Sequence, residues 1–219
     1  MAKDGGFDVE LNSSVASVEQ SDAGVVVTTT DGEVFNAKRA VVTLPLNLLN
    51  SVSFDPPLSA AKHEASTLKH VDGGYKVFFD VGGDPCAVMT LSRSTDSPLI
   101  GIFTYKRGEQ HSVLAGFSLE LGALNKSLED WQAVLEEFLP GVRLLSTFGH
   151  DWGDDALSQG SWCTYQPGTI ARFADALPQQ EGHLVFASGD HASAWRGFIE
   201  GEIASGSKAA VGIAISLKA

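Results

Sequence analysis

The sequence is poor in cysteine and in positive charge. Cys86 and Cys163 are its two cysteines in 219 residues. Two thiols cannot staple a chain of this size, so its stability must come from a hydrophobic core, and a reducing compartment fits. Fifteen basic residues face 27 acidic ones, a formal charge of −12. A nucleic-acid partner needs a basic patch, and this balance argues against one. No apolar run approaches membrane-spanning length, so no membrane association is expected. The start, Met-Ala-Lys-Asp-Gly-Gly, is polar and carries no signal-peptide pattern. The final Ser216-Leu-Lys-Ala219 is not a peroxisomal address as it stands. The expectation is an intracellular protein, cytoplasmic or peroxisomal. Among six histidines, no pair at helical metal spacing lies on a convincing helix, so no metal site is expected. A nucleophile elbow, a Walker motif and a nucleophilic Cys/His signature are missing. So is a G-x-G-x-x-G turn after an opening strand, the usual seat of a dinucleotide pyrophosphate.

What is present starts near the end of the chain. Leu184 to Ala187 is an apolar run short enough for a buried strand. Ser188-Gly189-Asp190 is a turn-forming cluster. Ile199, Ile203, Ala210, Val211, Ala214 and Ile215 then fit one face of a helix, with small Gly201, Ala204 and Gly206 open to close packing. A strand, a glycine turn and a helix start aim free N–H groups at one point, an anion-binding geometry. Asp190 beside it argues against a bare phosphate and suits the hydroxyls of a ribose or ribityl chain.

Upstream, Phe7 to Val18 carries alternating apolar residues, and Ser21-Asp-Ala-Gly24 is a turn. Val25 to Thr30 is a β-branched strand, Asp31-Gly32 a hairpin turn, and Ala40 to Pro45 another buried strand. Phe54-Asp-Pro-Pro57 is a turn, and Ser59 to His70 a short helix. Tyr75–Asp80, Ala87–Leu91, Leu99–Tyr105, Ser112–Leu119 and Leu144–Trp152 are strand-like and suggest an antiparallel sheet. Ser127-Leu-Glu-Asp130 is a capping box that opens a helix, and Pro140-Gly141 closes it.

Phe186-Ala-Ser-Gly-Asp190 and Trp195-Arg-Gly-Phe198-Ile-Glu-Gly-Glu-Ile-Ala-Ser-Gly206 resemble the C-terminal flavin motif of flavin-dependent monoamine oxidases, the fungal members most of all. The resemblance runs from about Phe7 to Ile215 and matches roughly the C-terminal half of that family. It implies a mixed α/β (α+β) fold, the C-terminal part of a two-domain flavin amine oxidase. Residues 1–70 and 161–219 are expected to be a partial FAD-binding domain, and 71–160 the antiparallel substrate-domain sheet and helix. The missing dinucleotide turn implies a partner, a second chain supplying the N-terminal dinucleotide-binding half.

Residue by residue, the resemblance implies that Val15 lies against adenine; from the residues alone, Val15 reads as strand core. Gly74-Tyr75-Lys76 matches the lysine that holds a water near flavin N5; otherwise Lys76 reads as an edge-strand lysine facing water. Trp152 to Tyr165 aligns with the family without gaps. Ser161 stands where the mammalian enzymes carry a flavin-bound cysteine, which implies non-covalent FAD. Trp162 and Phe198 match the two walls of an aromatic cage for the amine; the alternative is ordinary core aromatics. Ser188, Gly189, Asp190, Trp195, Phe198, Ile199 and Glu200 are the implied flavin contacts, with Trp152. His191 closely follows Asp190 and is a candidate general base; the family's varied residues at this position imply a structural or flavin-edge role instead.

The implied reaction is oxidation of an amine C–N bond to an imine, with O₂ reduced to H₂O₂. Two rivals stay open: a repurposed or inactive flavin-oxidase-like chain that binds a partner or another small molecule, and half of an L-amino-acid oxidase.

Overall fold

The computed structural model describes residues 5–71 and 73–218. Met1–Asp4 and Ala219, which belong to the leader and address readings above, lie outside the described residues, as does Asp72. The chain forms two compact units. The first takes the chain through His70 and again from Cys163, and the second takes Val71–Trp162. The second boundary falls two residues later than the expected 160/161, which assigns Ser161 and Trp162 to the second unit.

In the first unit, β1 (Val15–Ser21) turns at Asp22-Ala23 into β2 (Gly24–Thr29), which pairs with β3 (Val34–Ala37). Gly24 has φ +133°, and a side chain there would strike the Ala37 carbonyl, so this tight turn requires glycine. The expected alternation from Phe7 becomes a strand only at Val15. Phe7, Val9 and Leu11 are exposed with no ladder partner among the described residues, and an unpaired strand has little to hold it. The expected turn at Phe54 is instead β5 (Ser53–Asp55), parallel to β1. The sheet order is β3-β2-β1-β5. Beyond it, β4 (Ala40–Val42) pairs in parallel with β11 (Leu184–Phe186) across more than 140 positions of sequence. Among the described residues this parallel sheet has two strands. Parallel strands are normally found in larger, doubly covered sheets, so a two-stranded piece with exposed Val41 has the character of a sheet edge awaiting strands.

Helix α1 (Ala60–Leu68) and a 3₁₀ helix, Leu46–Ser51, close the core of this unit. That core holds Val18, Val25, Leu46, Leu49, Leu184 and Phe186.

The second unit is an antiparallel sheet ordered β10-β6-β9-β8-β7. Its strands are β6 (Tyr75–Gly82), β7 (Met89–Leu91), β8 (Gly101–Lys106), β9 (His111–Ser118) and β10 (Leu144–Gly149). Helix α2 (Leu128–Phe138) starts as expected: Ser127 Oγ accepts from Asp130 N at 3.1 Å. One face of the helix buries Trp131 and Leu135 against Val77, Phe79, Val81 and Leu114. The Trp131 indole N–H finds the Ala123 carbonyl at 3.2 Å, which removes the penalty of burying it. Period-two alternation sends Lys76, Phe78 and Asp80 to the other face of β6.

Two further helices belong to the first unit, α3 (Thr169–Phe173) and α4 (Ile199–Ser216). Among the described residues no helix is long and apolar enough to cross a membrane. The expected apolar face of α4 is not its packed face. Ile199, Ile203, Val211 and Ile215 are exposed, while Gly201 and Ala209 are buried. Small residues let the helix backbone lie close to its own unit, and no described residue covers the large ones.

Candidate functional site

The terminal segment builds a pocket from turn chemistry. After β11, Ser188 Oγ accepts from Asp190 N at 3.2 Å and from His191 N at 3.4 Å, which bends the chain back. Gly197 N donates to Gly189 O at 3.1 Å, and Arg196 Nε donates to Ala192 O at 2.9 Å. The loop is thus self-bonded before the helix begins. Two glycines permit it. Gly197 sits at φ +77°, where a side chain would strike Cys163, and a side chain at Gly201 would strike the Trp195 carbonyl.

Helix α4 starts at Phe198, which offers no side-chain cap to the first-turn N–H groups. Glu200 and Glu202 in that turn partly offset the positive end. Around it, Trp195, Phe198 and Ile199 are 68%, 64% and 75% exposed. Trp195 and Phe198 meet edge to face, centroids 6.2 Å apart. Three large apolar side chains are thus left in water beside an uncapped helix start. Beside Trp195 lies a cavity of about 500 Å³, lined also by Phe186, His191, Glu200 and Gly201.

His191 is fully buried with its ring edge-on to Phe186, 5.5 Å between centroids. Burial pushes its pKa down to about 4, which keeps it neutral near pH 7. Asp190 turns its carboxylate inward: Oδ2 accepts from Leu46 N at 2.8 Å and Oδ1 lies 3.1 Å from His70 Nε2. Burial works against its charge, but His70 and the Leu46 amide outweigh that and hold it at about 2. Cys163 Sγ lies 3.3 Å from the Tyr165 hydroxyl, and burial raises the thiol to about 12. Burial likewise raises the Tyr165 phenol. Sequence reading missed His70 and Tyr165, because nothing local marks a helix-end histidine and a loop tyrosine as neighbours.

In the second unit, Lys76 is not on an edge strand, since β6 is paired with β9 and β10. It lies opposite Phe117 in the register, with Nζ 5.6 Å from that ring's centroid. Phe117 meets Trp162 at 6.0 Å and Phe103 at 5.8 Å. Phe78 stacks on Phe148 at 5.0 Å. An antiparallel sheet usually turns a polar face to water, and this aromatic one is suited to an apolar ligand. Trp162 rests on Gly74, where any side chain would collide with its ring. Ser161 Oγ is buried and has no hydrogen-bond partner among the described residues. Trp152 is exposed beside His150, centroids 4.3 Å apart. Val15 opens β1 and is partly exposed, opposite Thr29. The structure therefore gathers Ser188 to Glu200 in one unit and Lys76 with Trp162 in the other.

Comparison with known proteins defines the class. A family model, flavin containing amine oxidoreductase, matches residues 1–214. The chain belongs to that family. It is 36% identical over 223 residues to the pseudooxynicotine dehydrogenase of a Pseudomonas species, covering 100% of this chain and 44% of that protein. It is 24% identical to the human flavin-containing amine oxidase B, over 94% of this chain and 43% of the relative. A solved putrescine oxidase bound to putrescine superposes with a TM-score of 0.84 at 19% identity, over 98% of this chain and 51% of its own. That likeness is one of fold. The chain spans about half the length of the relatives it matches or less.

Proposed function

We propose that the chain is the C-terminal half of a flavin-dependent amine oxidoreductase, its first unit completing an FAD site and its second unit lining the substrate space. The observation that carries this is the uncapped α4 start flanked by exposed Trp195, Phe198 and Ile199. The residues fit such a cofactor. Gly197 and Gly201 clear the backbone for close approach, the aromatics offer flat apolar area, and buried Ser161 Oγ lacks a partner. Ser188, Gly189, Glu200 and the backbone of Asp190, whose carboxylate is turned inward, would hold the polar chain and ring edge, and Val15 and Trp152 further edges, without a covalent bond at Ser161. When bound, a flavin accepts a hydride equivalent from the carbon next to an amine nitrogen, and the imine hydrolyses. This chain's own work is to place the reactants and shield them. The first-turn N–H groups of α4 favour negative charge by a few tenths to about 1 kcal/mol. Lys76 supplies positive charge and holds water on the aromatic face. Trp162 and Phe198 guide the amine and exclude water.

Relatives named both dehydrogenase and oxidase leave O₂ as the expected oxidant rather than a demonstrated one. The complement is an N-terminal dinucleotide-binding half, on a second chain or on the same polypeptide, and the bare apolar face of α4 and the open edge of the parallel sheet support it. The test is equilibrium dialysis with FAD. The 219-residue chain alone is expected to bind no stoichiometric FAD, because the pyrophosphate lacks its helix start. With its complementary half it should bind one FAD and turn yellow. Tight one-to-one binding by the lone chain would sink the half-site idea, and a colourless assembled pair would favour the repurposed copy.

A further inference from the structure

We propose that His70, Cys163 and Asp190 form a binding site for a divalent transition metal, with Zn²⁺ the ion their donor set fits. These three residues all belong to the first unit and come from three separate loops: the end of α1, the approach to α3 and the turn after β11. One ligand atom from each lies within 4.8 Å of the others. Tetrahedral zinc with bonds of 2.0–2.3 Å needs donor separations of roughly 3.3–3.8 Å, so closing the site takes a shift of about 1 Å in loop side chains. Nitrogen, sulfur and oxygen together suit a borderline ion such as zinc and not calcium or magnesium, which prefer oxygen.

The histidine is what points to a ligand. Its side chain is 6% exposed, and Nδ1 faces the Thr164 carbonyl at 3.2 Å. A carbonyl there fixes the proton on Nδ1 and leaves the Nε2 lone pair aimed at the cluster, the same orienting contact that metal-bound histidines use. Nε2 is buried and lies 3.1 Å from Asp190 Oδ1, so the imidazole and the carboxylate face each other inside the cluster. The nitrogen and the carboxylate need positive charge between them, which a proton supplies in an imidazolium and a metal ion would supply in the filled site. Asp190 is held in place by Leu46 N at 2.8 Å, so its remaining oxygen is presented to the site. Cys163 is seated against Gly197, which has no side chain to block the sulfur. On binding, the Cys163 S–H bond breaks, its proton leaves to solvent, and the electron pair stays on sulfur to form the S–metal bond. Three protein donors leave a fourth position for water. The donors are turned toward one another, so the site stands or falls separately from the cofactor reading.

The test uses the tag-free 219-residue chain titrated with Co²⁺ as a spectroscopic stand-in. The expected result is one equivalent bound, with a near-ultraviolet thiolate-to-cobalt band and visible bands of tetrahedral geometry, all erased by Zn²⁺. Cys163→Ser should abolish the thiolate band and weaken binding about tenfold or more. Cys86→Ser, at the exposed cysteine of the second unit, should leave both unchanged. Circular dichroism checks folding, and His70→Gln gives an independent variant should Cys163→Ser misfold; it too should weaken binding about tenfold or more. Failure to bind, binding without a thiolate band, or a band that survives Cys163→Ser and vanishes in Cys86→Ser would overturn the site.

Discussion

Lys62→Met should destabilise the first unit by about 3–5 kcal/mol, the range for removing one partner of a buried ion pair. Lys62 is 0% exposed in the first turn of α1. Its ammonium donates to Ala176 O at 2.9 Å, Gln179 O at 2.8 Å and Glu181 Oε1 at 2.8 Å. It also lies 4.3 Å from the centre of the Phe186 ring. Those acceptors sit in the segment that leads from α3 into β11, so one side chain ties α1 to the strand that precedes the candidate site. Methionine fills similar volume and keeps a sulfur–aromatic contact, so the loss is electrostatic rather than a cavity. It strands two carbonyls, worth about 1–3 kcal/mol each if they stay dry, and a carboxylate 20% exposed that water can reach. The estimate is a large part of a typical domain stability of about 5–15 kcal/mol. Urea unfolding followed by far-ultraviolet circular dichroism measures it on the full chain. Adding Glu181→Gln should recover part of the loss, because the unpaired charge is gone. A loss below about 1 kcal/mol would refute the reasoning and mean that Lys62 reaches water.

The same pair sets a pH dependence. Burial pushes the Glu181 carboxyl up, but Lys62 and Ser59 outweigh it and leave its pKa lowered. A lowered carboxylate stabilises the fold above its unfolded pKa, about 4.3, and that contribution is lost as pH falls below it. Melting temperature measured from pH 6 to pH 3 should fall less in Glu181→Gln than in the unmodified chain, and parallel curves would contradict the assignment. Gly74→Ala should push Trp162 off its seat, since a Cβ there collides with the ring. Near-ultraviolet circular dichroism should change, and amine turnover by the assembled enzyme should drop on the order of 10²-fold if Trp162 positions substrate. An altered spectrum with unchanged turnover would return Trp162 to the role of a packing residue.

Local signals in the sequence were strong wherever the physics is local. The β2–β3 hairpin follows from Asp31-Gly32, with Gly32 at φ +91°. The α2 start follows from Ser127 and Asp130 three residues apart. The strand–turn–helix at Leu184 to Ser216 follows from an apolar run, a Ser-Gly-Asp turn and helical spacing, and the same residues carry the family likeness. Tertiary structure decided what depends on partners far away in the chain. Whether Phe7 to Ser14 is a strand depended on a ladder partner, and the structure supplies none among the described residues. Ser53–Asp55 became a strand because β1 lay beside it. Lys62 looks like any helix lysine until Ala176, Gln179 and Glu181 close around it. His70, Cys163 and Asp190 are spread over 120 positions, and only folding brings their donors within 4.8 Å. Helical periodicity in α4 was legible, but the direction of its apolar face was not. Periodicity reports that a face exists, and burial depends on which polypeptide covers it.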